Sequence, residues 1–121
     1  MQFARWVFTI GGIWGLILIA PLYFMEGLMT RDRGPLAYPE HYYGFVGCAF
    51  AFQLLYLAIG RDPARLRPIM PIGVLGKLSF GVAVWVLFAQ GRTPGIMAAL
   101  STGDLILAVL FTIAYLRTRN P

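Results

Sequence analysis

Two ionisable residues stand alone in stretches that are otherwise apolar: Lys77 within Pro68–Gly91 and Asp104 within Thr93–Leu116. A charge exposed at the centre of a bilayer costs about 2.5–3.5 kcal/mol on insertion scales, so both side chains must face protein or water. Counted from the turn at Arg92 and Thr93, Lys77 lies roughly 23 Å and Asp104 roughly 17 Å deep, at about 1.5 Å per helical residue. A direct ion pair is the simplest chemistry for them. Helical side chains lean toward their own N-terminus, however, which in antiparallel neighbours turns Lys77 inward and Asp104 outward. Gln53 stands about as far before the basic connection Arg61–Pro68 as Lys77 stands after it. Its amide both donates and accepts, so a Gln53, Lys77 and Asp104 network with Gln53 as intermediary is the expected interior polar site.

Such a network supports three kinds of work. It can join helices, with Lys77 alternatively snorkelling along its stem to the headgroups. Asp104 can exchange a proton or hold a cationic solute on a path through the bundle. Asp104 can also act as an acid with Gln53 orienting a lipid or sterol substrate, although a second carboxylate at that depth is missing. Near the other boundary, Glu26, Glu40 and His41 are secondary candidates. Glu26 is expected to meet water or Arg31 and Arg33. His41 beside Glu40 has the chemistry for a metal or an acidic headgroup, but a single interfacial histidine usually binds neither. No GxxxxGK, CxxC or HExxH motif and no Ser-His-Asp set occurs, so neither a metal nor a cofactor is expected. The hydroxyls of Tyr56 and Ser79 are expected to bond their own helices. Cys48, the single cysteine, reads as a small packing residue.

The elements that carry these residues follow from composition. The chain has 121 residues, 59% hydrophobic and 12% charged, with a net charge of +5. Its mean hydropathy is +0.71, and so little charge cannot clothe a soluble domain of this size. The arginines sit in short connections between apolar runs, which fits membrane topology and argues against nucleic acid as a partner. Continuous rather than alternating hydrophobicity excludes a β-barrel. Four runs reach the ~20 residues that a ~30 Å hydrocarbon core requires, giving helices at about residues 6–26, 42–60, 69–90 and 95–117 in a single domain. The first run is too long for a signal-peptide core and lacks a small-x-small cleavage pattern, so it is read as a retained helix.

Gly34-Pro35 and Pro39-Glu40 are expected to stop any helix crossing the first connection, and Gly91-Arg92-Thr93-Pro94 makes a tight turn. Pro21 is expected to kink the first helix. Arg5, Arg61, Arg65, Arg67, Arg117 and Arg119 fall on one side against Arg31, Arg33 and Arg92 on the other. Six basic residues against three predict both termini in the cytoplasm. Trp6, Tyr23, Tyr42, Tyr43 and Tyr115 suit interfacial belts. Small residues at four-residue spacing, Gly11/Gly15, Gly73/Lys77/Gly81 and Gly95/Ala99/Gly103, predict close helix packing within the chain or with another subunit.

The segments His41-Tyr42-Tyr43-Gly44-Phe45, Gly60-Arg61-Asp62-Pro63-Ala64-Arg65 and Lys77-Leu78-Ser79-Phe80 resemble a group of small four-helix bacterial integral membrane proteins of uncharacterised activity. The resemblance covers residues 41–116, and it implies a bacterial membrane and no particular activity. The expected fold is all-α: a four-helix transmembrane bundle, antiparallel up-down-up-down, in the bacterial cytoplasmic membrane. The leading functional expectation is a structural, accessory or partner-binding role, with the lipid bilayer and a second copy or another membrane protein as partners. A small proton-coupled transporter using Asp104 is the first alternative. Its shape is similar to small multidrug resistance exporters, but their essential glutamate lies within the first helix, whereas Glu26 falls at its end. A lipid- or sterol-modifying enzyme is the second alternative.

Overall fold

The computed structural model describes residues 2–31, 34–35 and 37–118. Arg33, expected near Glu26, and Arg119, one of the basic residues that set orientation, lie outside the described residues. The chain is all-helical among the described residues: α1 (Gln2–Ile19) continues as a 3-10 turn (Ala20–Phe24), then come α2 (Glu26–Met29), α3 (Pro39–Arg61), α4 (Met70–Ala89) and α5 (Gly95–Arg117). Four helical spans, Gln2–Phe24, Pro39–Arg61, Arg67–Ala89 and Gly95–Arg117, are each 23 residues and apolar enough to cross a membrane. At 1.5 Å per residue that is about 35 Å, sufficient for a bilayer core. These spans point to an integral membrane protein.

Local chemistry explains where the helices change. Pro21 lacks the N–H that an α-helix would use and crowds the preceding turn, and the α-helix tightens to 3-10 geometry there. Pro39 does not stop a helix as expected but starts one. It occupies the first turn of α3, where its missing N–H would be unpaired anyway, and Glu40 places negative charge at the same N-terminus. The short α2 also lies within the first connection. α4 ends in a Schellman turn: Gly91 has φ 71°, the Arg92 amide donates to Leu87 O at 2.9 Å and the Gly91 amide to Phe88 O at 2.9 Å.

Packing is organised as two helix pairs, α1 with α3 and α4 with α5; α1 and α5 join the pairs, while α3 and α4 touch sparingly. The buried core, Ala4, Phe8, Tyr56, Ile59, Met70, Phe111 and Ala114, gathers at the end of the bundle that carries most arginines. Phe8 stacks on Phe111 with centroids 4.1 Å apart. Arginines close this end: Arg5 donates to Arg61 O at 2.9 Å, and Arg67 donates to Tyr115 O at 3.0 Å while lying 3.9 Å above the Tyr115 ring. The opposite half of the bundle is hollow.

Candidate functional site

The cavity in that half measures about 440 Å³ and is walled by all four long helices. Most of its lining is aliphatic or aromatic. Apart from Ser79, its polar side chains sit at the floor, next to the core: Gln53 and Tyr56 from α3, Lys77 from α4 and Asp104 from α5. Tyr56 stands three positions after Gln53 and so shares its face.

Small residues on α4 let the floor assemble. A Cβ added at Gly81 would lie 2.6 Å from Leu105 Cδ2, and one at Gly73 would lie 3.0 Å from Tyr56 Cε1. Between these glycines, Lys77 is 4% exposed. Its Nζ donates to Asp104 Oδ1 at 3.0 Å and lies 5.1 Å from the Tyr56 ring centroid. The two charges therefore meet directly. Close approach of α4 and α5 brings Asp104 within reach of the four-carbon lysine stem, which extends against the intrinsic lean of helical side chains.

Gln53 is not the intermediary. Its Nε2 donates to Ala49 O of its own helix at 3.0 Å. Its Oε1 is buried and, among the described residues, is the one buried side-chain polar atom without a hydrogen-bond partner. That oxygen rests on α1 at Gly15, where a Cβ would overlap the amide. An unpaired buried acceptor costs about 1–3 kcal/mol, and both Gln53 and the Gly15 beneath its oxygen line the cavity. Asp104 retains 17% side-chain exposure, whereas Lys77 retains 5%, and both residues line the cavity.

Of the cavity lining, Phe45, Cys48, Ser79 and Leu100 are exposed, and three of these four lie on α3 and α4, which puts the mouth on that side. Its rim includes Phe45 and Cys48 of α3 and Ser79 of α4, all exposed, and Phe45 stacks on Phe80 across the two helices at 5.6 Å. Cys48 is thus a rim residue and not a packed one. Ser79 bonds its own helix at Leu75 O, 2.7 Å away, but the Tyr56 hydroxyl donates across to Gly73 O of α4 at 3.2 Å.

The secondary candidates do not join this site. Glu26 Oε1 accepts from the Tyr43 hydroxyl at 2.8 Å, and Tyr42 donates to Leu22 O at 2.7 Å. These tyrosines clamp the end of α1 to the start of α3. His41 stacks on Tyr38 at 5.1 Å, and Glu40 and His41 are exposed in the first turn of α3. No group of three or more His, Cys, Asp or Glu among the described residues could hold a metal ion. Sequence reasoning gave Tyr56 too small a role and Cys48 the wrong one; the shared face of Cys48, Phe52, Gln53 and Tyr56 was the available signal. Comparison with protein-family models, curated proteins and solved structures finds no match, so the geometry of this cavity is the sole ground for a functional reading.

Proposed function

We propose that the chain is an accessory, binding membrane protein that holds a lipid-soluble small molecule inside its bundle. The observation that carries this reading is that Gln53, Lys77 and Asp104 line one connected cavity of about 440 Å³, within the size range of ligand sites. The transporter alternative draws less support, because the interior carboxylate is held by Lys77 at 3.0 Å and is not a free proton carrier. The enzyme alternative still lacks a second acid at the floor.

The same proposal includes an antiparallel up-down-up-down bundle with both termini in the cytoplasm of a bacterial cell. Contacts of Arg5 with Arg61, Arg67 with Tyr115 and Arg117 with Phe3 support it by gathering the basic ends of the helices. Native mass spectrometry from mild detergent tests the binding role. Wild-type protein should carry a small-molecule adduct, and Ala49→Trp, which fills the cavity from α3, should lose it while keeping its helical content. Equal adducts on both proteins, or none on wild type while phospholipid is retained, would reject the reading.

A further inference from the structure

Resting on that binding role, we infer that the ligand is an uncharged, lipid-soluble alcohol or phenol whose hydroxyl sits on the floor formed by Gln53, Asp104 and Lys77, reached between α3 and α4. Three features of the floor select this chemistry. Charge comes first. Lys77 and Asp104 neutralise each other at 3.0 Å, so a cationic or anionic ligand would bring a charge with no free counter-charge into a low-dielectric site. Phosphate- and ammonium-headed lipids are disfavoured for this reason.

Hydrogen-bonding capacity comes second. Gln53 Oε1 is a buried acceptor without a donor, and Asp104, which also lines the cavity, is engaged through Oδ1. Gln53 is the one that lacks a donor, because Asp104 already accepts from Lys77. Lys77 uses one of its three ammonium protons on Asp104, which leaves donors for an incoming oxygen. A hydroxyl donates its single proton to Gln53 Oε1 and accepts from Lys77 on the same atom, and the Lys77–Asp104 pair stays intact. An ether or a ketone can only accept, and would leave Gln53 unpaired.

Shape comes third. The walls above the floor are apolar, with Leu18, Phe45, Phe52, Phe80, Met97 and Leu100 among them. The mouth at Phe45, Cys48 and Ser79 lies on the thinly packed α3/α4 seam. A molecule dissolved in the bilayer reaches the floor sideways, polar end first, without crossing the headgroup layer.

The test uses four photoreactive probes with one shared twelve-carbon, diazirine-bearing chain: the alcohol, its methyl ether, the carboxylic acid and the amine. Each is added to full-length protein in phosphatidylcholine vesicles, and labelled residues are mapped by mass spectrometry. The alcohol should label the cavity walls about tenfold more than each of the others, the effect of roughly one well-placed hydrogen bond. Gln53→Leu should lower alcohol labelling to the ether's level and leave ether labelling unchanged. If Gln53→Leu does not fold, the wild-type series decides alone. Equal labelling of the walls by all four probes would overturn the hydroxyl assignment while leaving the binding role intact. Labelling confined to outward residues such as Ile106 and Val109 would overturn both.

Discussion

At the scale of single residues, the ion pair sets the energetics of the interior. Lys77 and Asp104 are 5% and 17% exposed at the side chain, so removing one partner leaves an uncompensated charge in a poorly solvated place. Lys77→Met and Asp104→Asn should each destabilise the bundle by about 3 kcal/mol, whereas the double substitution should recover most of that loss. Thermal or denaturant unfolding in micelles measures all three, and additive losses would show that the charges act independently. That both charges fall well inside their helices was legible from their distance to the Gly91 turn. Their direct contact was not, because inter-helix spacing depends on Gly73 and Gly81 meeting Tyr56 and Leu105, and no run of sequence encodes which neighbour a glycine faces. Gln53 illustrates the same limit: its level in the bundle could be counted, but its rotation onto Gly15 could not.

At the scale of elements, the small-residue stripes divide into two kinds. Gly11 approaches Phe111 of α5, while Gly12 and Gly15 approach Leu57 and Gln53 of α3; one short motif serves two internal neighbours. Gly95 and Ala99 are exposed instead, although their spacing is the same. Gly60 is the tightest backbone crossing of α1 and α3. A Cβ there would lie 2.9 Å from the Thr9 backbone nitrogen and 3.2 Å from Arg5 O, and neither atom can turn aside as a side chain would. Gly60→Ala should therefore destabilise by about 1–3 kcal/mol, as overpacking does. Gly95→Ala should be neutral within about 0.5 kcal/mol, since the nearest atom to its Cβ is the flexible Phe88 ring at 3.6 Å. Equal stabilities for the two variants in a refolding assay would contradict this assignment of faces. Helix number and length were readable from hydropathy, and the Schellman end of α4 from its glycine. The start of α3 was misread because proline both ends helices and opens them. Which of the two it does at Pro39 is decided by the long apolar run that begins at Tyr42.

At the scale of the whole molecule, the bundle is solid at one end and hollow at the other, and its orientation decides which leaflet the cavity faces. The arginine-rich end carries Arg5, Arg61, Arg65, Arg67 and Arg117, and the side chains of three of these, Arg5, Arg67 and Arg117, are held by contacts within that end. A closed, basic end suits the cytoplasmic surface, where positive residues are retained during insertion. The cavity would then open to the outer leaflet. In a Cys48→Ser background, Thr93→Cys tests the turn between α4 and α5, and Ala64→Cys tests the connection between α3 and α4. A membrane-impermeant maleimide applied to intact cells should label Thr93→Cys and should label Ala64→Cys only after permeabilisation. The reverse pattern would place the cavity in the inner leaflet and leave its chemistry unchanged. Labelling of both sites from outside would mean that α4 does not cross the membrane. Lys77 would then have no bilayer interior to avoid, and the physical reason for a buried pair with Asp104 would disappear.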